Sequence, residues 1–507
     1  MPNQPDQDIK IYPNCDYNVW LRTCEKEVTV PLEGDIAGEI PSWVRGTLLR
    51  NGPGAYKVGD SRFKHIFDGS ALLHRFFIKD GRATYQCRFV RSNTLLKNRA
   101  ANRIVITEFG TKGVPDPCQT IFSRIASVFK MSDKMTDNTL VSVYPFGDQV
   151  YTLTEFPVIH RIDPETLETL ERKSLEAYVV NHTAHPHVMP NGDVYNLGMS
   201  VYNGKLRHAI VKFPFSENGD MFEDAHIVCT VPSTWPMYPS YMHTFGITEN
   251  YFVIVEQPLC LSLVNILKHQ ISSNEVAKAL RWRPDRETCI VVIDRRDDSI
   301  KRFRTDSFAY FHIINSYQEE GRLIVDIITY DDDKVIQALY VEAIEGMQSN
   351  KDYAAWCRTR PKRIEIPLDA PERSKVDIRL LANTSFEMPK INYEKCNGLP
   401  YNYCFGCGTD ATIVKLDVNT GDIKLWYEAG WSPGEPVFVA RPGATEEDDG
   451  VLLSAMVREC APHSEHAHAL ALLVLDARTM RERARALFRT PSPAPKCMHG
   501  WFLPEGR

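Results

Sequence analysis

The sequence predicts an all-β fold with a few inserted helices. Short runs rich in β-branched, aromatic and leucine residues recur along the 507-residue chain, with turn residues between them, as at 149–154, 251–255, 323–328, 451–456 and 469–475. Helical patterns are confined to about three segments, 121–129, 274–282 and 341–356. Many short strands separated by turn signals, with few helices, are typical of an all-β architecture.

A repeated turn suggests that the strands form equivalent units. An apolar strand ends in the pattern Asp-x-x-Thr three times, at Asp163, Asp417 and Asp476. Aspartate suits such a turn because its side chain can bond the backbone two residues further on.

A second repeat involves histidine. His185, His243 and His312 each stand about one strand before a hairpin turn, and they are 58 and 69 residues apart. His499 follows His312 after 187 residues, which is about three such units. An antiparallel unit of roughly 60 residues is larger than the ~40–50 of named blade repeats, but it predicts a β-propeller. Equivalent positions on the inner strands of a propeller converge on one axis, which would gather these histidines.

Composition narrows the class of protein. The chain is 43% hydrophobic and 24% charged, with a net charge of -6 and a pI near 6.2, which gives no electrostatic case for nucleic-acid binding. The polar, acidic start does not resemble a signal peptide, and no run of about 18 apolar residues suggests a spanning helix. We therefore expect a cytoplasmic protein with reduced thiols, in which Cys404 and Cys407 are packing residues and not half of a zinc site.

Three histidines crowd the segment 181–187, and the segment cannot form a complete metal site by itself. Pro186 excludes a regular helix, so helical i, i+4 pairing of histidines is unavailable. In an extended segment His185 and His187 share a face, which gives two ligands at most. Further ligands must come from elsewhere in the chain. A later cluster at His463, His466 and His468 lies in a polar connection and is expected to be a solvated loop.

Four segments that contain the spaced histidines resemble the four histidine motifs of the carotenoid cleavage oxygenases. They are TAHPH at 183–187, SYMHTFG at 240–246, FHIIN at 311–315 and MHGWF at 498–502. Further similar segments are FDG at 67–69, RIVITEFGT at 103–111, EPVFV at 435–439 and EDDG at 447–450. PDPC at 115–118 resembles a segment of the animal branch of that family, and the chain resembles the insect isomerooxygenases most. The similar segments extend from about Pro41 to Phe502.

The resemblance implies a fold and a metal. The fold is a seven-bladed β-propeller with a helical cap over one face, which houses the active-site tunnel. One domain would span residues 1–507, with 1–30 as an N-terminal extension. One Fe²⁺ would lie on the axis, held by His185, His243, His312 and His499.

The resemblance also implies residues around that metal. Glu155, Glu387 and Glu435 would accept hydrogen bonds from ligating histidines, since such imidazoles usually donate their other N–H to a carboxylate. Three glutamates for four histidines leave one histidine without such a partner, and the sequence does not say which. Phe109 would pack against a polyene, and Thr154 would crowd the open side of the metal.

Members of the family bind membranes peripherally, which implies an apolar patch around the tunnel mouth. The candidates are Ile121, Phe122, Ile125 and Phe129, then Leu259, Leu261, Leu263, Val264 and Leu267, together with Trp235. The spacing of the first four is helical, so from the residues alone a core or cap helix is the alternative.

The activity implied is that of an iron(II) dioxygenase that uses O2 to cleave a carotenoid at its central 15,15′ double bond. The products would be retinal, with one half emerging in the 11-cis form. The alternatives are a retinyl-ester isomerohydrolase, an eccentric-cleaving carotenoid dioxygenase and a metal-free carotenoid-binding propeller. The complete set of histidines and glutamates argues against the last. Ring preference, exact scissile bond, coupling of isomerisation to cleavage and oligomeric state stay open.

Overall fold

Seven antiparallel sheets of four or more strands follow one another along the chain in a computed structural model, which describes residues 17–114, 135–217, 220–262, 275–460 and 464–506. Each sheet is built from a continuous stretch of chain, except where the two chain ends complete the last two sheets. This confirms the predicted seven-bladed β-propeller, and we number the blades 1 to 7.

Blades 1 to 5 come from the middle of the chain. Blade 1 contains Ser142–Phe146, Gln149–Leu153, Val158–Ile162 and Thr169–Ser174. Blade 2 contains Asn181–His182, His187–Val188, Val194–Tyr202, Lys205–Phe213 and His226–Pro232. Blade 3 contains Gly246–Ile247, Tyr251–Glu256, Thr288–Asp294 and Ile300–Thr305. Blade 4 contains Ala309–Glu319, Arg322–Tyr330, Arg360–Pro367 and Asp377–Leu380. Blade 5 contains Phe386–Lys390, Tyr403–Gly408, Ile413–Asp417 and Ile423–Trp426.

The chain ends close the ring of blades. Blade 6 contains Trp431–Pro433, Val437–Ala440, Gly450–Arg458, Ala469–Asp476 and Glu482–Arg489, and Asp35–Gly38 adds its outer strand. Blade 7 runs from the C-terminal strand Gly500–Pro504 through Gly46–Ala55, Ser70–Lys79 and Arg82–Phe89 to Val28–Glu33. Two-stranded ribbons pair Lys57–Val58 with Ser61–Arg62 and Leu259–Leu261 with Leu280–Trp282. Part of the predicted extension thus contributes the start of a blade strand.

Both predicted repeats mark equivalent places in the blades. In the Asp-x-x-Thr turns of blades 1, 5 and 6, the threonine N–H donates to the aspartate Oδ1 at 2.9–3.0 Å. The histidines at 185, 243 and 312 precede the turn from the innermost to the second strand of blades 2, 3 and 4. His499 lies on blade 7, three blades after His312, as its spacing predicts.

Apolar side chains on both faces of each central strand hold neighbouring blades together. In Ala469–Asp476, Leu470, Leu472 and Val474 pack toward blade 7. Ala471, Leu473 and Leu475 pack toward blade 5. Successive side chains of a strand point to opposite faces, so a strand buried on both faces needs a continuous apolar run.

Short helices connect the strands. They are the α-helices Asn93–Ala101, Lys334–Ala338, Val341–Glu345, Tyr353–Trp356 and Tyr393–Cys396, and the 3-10 helices Tyr17–Trp20, Ile66–Asp68, Val276–Ala279 and Glu465–His468. The predicted helix at 341–356 is wrong as one element, because it ends at Gly346 and resumes after a turn. The predicted helix at 274–282 is wrong in its extent, because the described part is a 3-10 helix at Val276–Ala279 followed by the strand Leu280–Trp282. The pattern at 121–129 lies outside the described residues.

The helices between 334 and 356 cover a cavity that reaches three of the spaced histidines, which agrees with the expected cap. Within the described residues, no helix is both long and apolar enough to cross a membrane.

Candidate metal centre and its cavities

Four histidines from four blades meet at one point. The ligating atoms of His185, His243, His312 and His499 all lie within 4.8 Å of one another. The Nε2 atoms of His185 and His243 are 3.1 Å apart, the separation expected for two adjacent ligands at about 2.1 Å from one metal. Nε2 of His312 is buried and has no hydrogen-bond partner among the described residues. The four rings therefore present donor atoms to a common centre.

Local strand irregularities aim two of the side chains around this centre. The pairing register of Ala309–Glu319 shifts on both sides of Ile313, beside His312. The register of Phe386–Lys390 shifts after Glu387, where Met388 adopts a positive φ of 54°. A β-bulge turns a side chain away from the regular alternation, and bulges are common beside functional sites.

Three of the histidines donate Nδ1–H to a carboxylate. His243 pairs with Glu155 at 2.7 Å, His312 with Glu387 at 2.6 Å and His499 with Glu435 at 2.7 Å. These glutamates come from blades 1, 5 and 6, so each of the seven blades supplies one histidine or one glutamate. Donation from Nδ1 leaves the Nε2 lone pair free for a metal and fixes the ring orientation.

His185 has no such carboxylate partner among the described residues. Its backbone N–H donates to Thr183 Oγ1 at 3.3 Å, and its ring lies 4.6–5.0 Å from the other three histidine rings, centroid to centroid. The structure thus places the three predicted glutamates on the other three histidines.

Burial favours the neutral, metal-binding form of His185, His243 and His499. Burial is the largest cause that lowers the pKa of His185 and of His243, and it lowers the pKa of His499 to about 4. The neighbouring histidines lower the pKa of His185 further, because a second positive charge there would be unfavourable. Neutral imidazole is the ligating form, so the donor set fits a divalent transition metal.

The carboxylates differ in how firmly they are held. Glu435 is 1% exposed and lies 2.8 Å from Arg50 and 3.2 Å from Lys390. Burial alone would raise its pKa, but Lys390, His499 and Arg50 together hold that pKa far below its usual range. Glu387 also has a lowered pKa, because His312 and the backbone N–H of Met388 outweigh its burial.

Two cavities border the histidines. The first has a volume of about 260 Å³ and reaches His243, His312 and His499. Its wall is mostly apolar and includes Phe109, Phe311 and Leu339. The second has a volume of about 290 Å³ and reaches His185, His312 and His499.

Comparisons with known proteins agree with this arrangement. The sequence pattern of the retinal pigment epithelial membrane protein family matches residues 21–504. The chain is 59% identical to a carotenoid isomerooxygenase of Galleria mellonella, over 98% of each chain. It is 35% identical to a human beta,beta-carotene 15,15′-dioxygenase, over 95% of this chain and 93% of that one.

The chain belongs to the carotenoid oxygenase family. The fold agrees as well. A cobalt-substituted apocarotenoid oxygenase of Synechocystis superposes with a TM-score of 0.78 and 23% identity, over 96% of this chain and 98% of that one.

Phe109 and Thr154 both line the first cavity of this carotenoid oxygenase. The Phe109 ring lies edge-on to Phe67, with 5.8 Å between centroids, and Thr154 is 5% exposed. Their predicted contacts with a polyene and with the open side of the metal stay predictions.

The predicted membrane-contact residues differ in their exposure. Leu259 is 2% exposed and packs with Tyr241 and Leu280, so the prediction that it contacts a membrane is wrong. Trp235 and Leu261 are partly exposed. The other seven candidates, Ile121, Phe122, Ile125, Phe129, Leu263, Val264 and Leu267, lie outside the described residues.

The remaining sequence candidates have other partners. His187 bonds Tyr393 and the Phe245 carbonyl, and His182 approaches the Thr183 carbonyl, so neither joins the centre. Cys404 and Cys407 are buried and free. His463 lies outside the described residues, and His468 contacts the Thr490 carbonyl.

Sequence reasoning missed two tyrosines and two cations of this site. Tyr241 OH donates to Glu155 at 2.5 Å, and Tyr330 OH donates to Glu387 at 2.9 Å. Arg50 and Lys390 surround Glu435. Tyr241 stands inside the second histidine motif, two residues before His243, so a search for hydroxyl donors near each ligand would have found it.

Proposed function

We propose that this protein is an iron(II) carotenoid dioxygenase that cleaves the central 15,15′ double bond of a carotenoid and releases one product half as the 11-cis isomer. The observation that carries the proposal is the four-histidine centre at the end of an apolar cavity. The names of the similar carotenoid isomerooxygenase and 15,15′-dioxygenase supply the reaction.

His185, His243, His312 and His499 would hold Fe²⁺. When bound, the ion supplies the redox chemistry that lets O2 react with a carbon–carbon double bond. The donor set supports this choice, because four neutral imidazoles without a carboxylate ligand suit a divalent transition metal and leave coordination positions open.

The protein's own residues orient the ligands and exclude water. Glu155, Glu387 and Glu435 fix the rings of three histidines, and Tyr241 and Tyr330 in turn fix two of the glutamates. The apolar wall binds a polyene by burial of its surface, worth about 25 cal/mol per Å². We see no dedicated general base in this arrangement, and addition of both oxygen atoms across the double bond requires none.

We propose further that the surface around Trp235 contacts a membrane. Met237 is 59% exposed beside it, and Arg286 lies over the Trp235 ring at 4.9 Å. An exposed apolar side chain with an aromatic ring and a cation suits the lipid–water interface. Met237→Glu is expected to reduce co-flotation with anionic liposomes several-fold, with Val201→Glu at another exposed site as control. An equal loss of co-flotation for both variants would contradict this assignment.

The function is tested with purified protein, Fe²⁺ and β-carotene under ¹⁸O2. Labelled retinal is expected, and chromatography is expected to resolve an 11-cis fraction. Free retinol from a retinyl ester, with no labelled aldehyde, would instead support the isomerohydrolase. His499→Ala is expected to abolish both iron binding and cleavage, whereas the exposed His226→Ala should change neither.

A further inference from the structure

One cation lines the apolar cavity. Among the lysines and arginines of the described residues, only Lys496 borders the first cavity. Its side chain is buried, with 7% of the residue exposed. Lys496 stands three residues before His499, so their Cα atoms are no more than about 10 Å apart. A buried positive charge therefore borders the cavity that reaches three of the histidines.

The partners of Lys496 are neutral. Its Nζ donates to the Ser432 hydroxyl at 2.8 Å and lies 4.3 Å from the centroid of the Trp20 ring. No carboxylate among the described residues lies within ion-pair distance of it. The other lysine that is buried in the described part of the chain, Lys415, is 2.6 Å from Asp448.

This contrast points to a ligand. A buried ammonium is costly unless it is paired or hydrogen-bonded. It carries three N–H donors, and Ser432 accepts one of them. Trp20 and Ser432 border the same cavity, so a molecule in that cavity can reach the remaining donors.

We propose that Lys496 is a specificity-determining residue that donates a hydrogen bond to an oxygen atom of the polyene ligand. The inference rests on the proposed function for the class of ligand. The oxygen could be a hydroxyl or keto oxygen on a terminal ring of the substrate, or the aldehyde oxygen of the product. Both are neutral acceptors on an otherwise apolar molecule, which matches one cation in an apolar wall.

The test compares the wild type with Lys496→Met, which keeps the length and removes the donors. The rate constant kcat/KM is measured for β-carotene, which has no oxygen, and for zeaxanthin, which has a hydroxyl on each ring. Binding of all-trans-retinal is measured by quenching of tryptophan fluorescence. Charged hydrogen bonds of this kind predict effects of about 10- to 100-fold.

The two oxygen sources give different results. A ring oxygen predicts a fall of about 10- to 100-fold in kcat/KM for zeaxanthin alone, with retinal binding unchanged. An aldehyde oxygen predicts a Kd for retinal that is about 10- to 100-fold higher. The ratio of kcat/KM for zeaxanthin to kcat/KM for β-carotene is then unchanged. If a folded, iron-loaded Lys496→Met changes neither quantity, the proposal is overturned.

Controls separate this role from stability. Lys415→Met removes a buried lysine away from the cavity and should lower the melting temperature without changing either quantity. Lys496→Gln keeps a donor and should lose less kcat/KM or retinal affinity than Lys496→Met. It also replaces Lys496→Met in the test if that variant does not fold. If the wild type cleaves neither carotenoid, the proposed function is wrong. The affinities of the wild type and of Lys496→Met for zeaxanthin, β-carotene and retinal then decide the role of Lys496.

Discussion

The four histidines of the centre fall into two groups. His243, His312 and His499 each donate to a glutamate, whereas His185 has no carboxylate partner among the described residues. Of the two cavities, His185 borders only the second, whereas the other three histidines border the apolar first cavity. The difference shows that packing and backbone can hold one ligand in place, while carboxylates hold the three that border the apolar cavity.

The glutamates themselves form a series. Side-chain exposure rises from 1% for Glu435 to 14% for Glu387 and 28% for Glu155. A buried carboxylate interacts more strongly with its partners than one in a polar surrounding. We therefore expect the loss of stability and iron affinity on removal of a glutamate to decrease from Glu435 to Glu387 to Glu155. Removal of the support of His185 is expected to have the smallest effect.

Glu435→Gln is expected to have the largest effect. It removes the charge that compensates the fully buried Arg50, and breaking a buried ion pair typically costs about 3–5 kcal/mol of stability. Thermal unfolding measures the loss of stability, and the iron content of the purified variant measures the loss of metal binding. Glu505→Gln breaks an exposed pair with Lys79 and is the control, at about 0–1 kcal/mol. Equal melting temperatures for the two variants would contradict the comparison.

Glu387→Gln is expected to lower iron affinity by about 10- to 100-fold, because His312 loses the acceptor that fixes its ring. Tyr330 OH can still donate to the amide oxygen, so the fold is expected to persist. Competition with a chelator gives the affinity. Glu365→Gln alters an outer strand of the same propeller and should leave iron affinity unchanged. An affinity equal to that of the wild type would show that the bond at 2.6 Å does not support the ligand.

The repeated turns and the spaced histidines predicted a propeller that gathers the histidines near one axis, whereas the number of blades, the iron and its ligand set followed from the resemblance to the carotenoid cleavage oxygenases. A histidine before an inner hairpin turn and an aspartate in an outer turn recur from blade to blade, so spacing carries the information. Arg50 and Glu435 are 385 residues apart and meet only because the chain ends close the ring. No local pattern predicts that contact, or the bulges that aim His312 and Glu387. The helix predicted over 341–356 failed for a local reason, since Gly346 ends it.

Glu155→Gln is expected to lower iron affinity by less than about tenfold, below the effect of Glu387→Gln. Glu155 is the most exposed of the three glutamates, and the Tyr241 hydroxyl lies 3.0 Å from Nδ1 of His243, so it can replace part of the lost support. The double variant with Tyr241→Phe removes that support and should lose more than the two single variants together. Strict additivity would mean that the tyrosine does not act through this histidine.

Thr183→Val is expected to have the smallest effect, a few-fold loss of iron affinity at most. Thr183 Oγ1 accepts the backbone N–H of His185 at 3.3 Å and donates to Asn196 at 2.6 Å. The substitution keeps the side-chain shape and removes only these bonds, and the His185 ring stays packed among the other three. Chelator competition is compared with that of the glutamate variants. A loss as large as that of Glu387→Gln would mean that the backbone of blade 2 orients His185 as strongly as a carboxylate orients its neighbours, and the two groups of histidines would then be one.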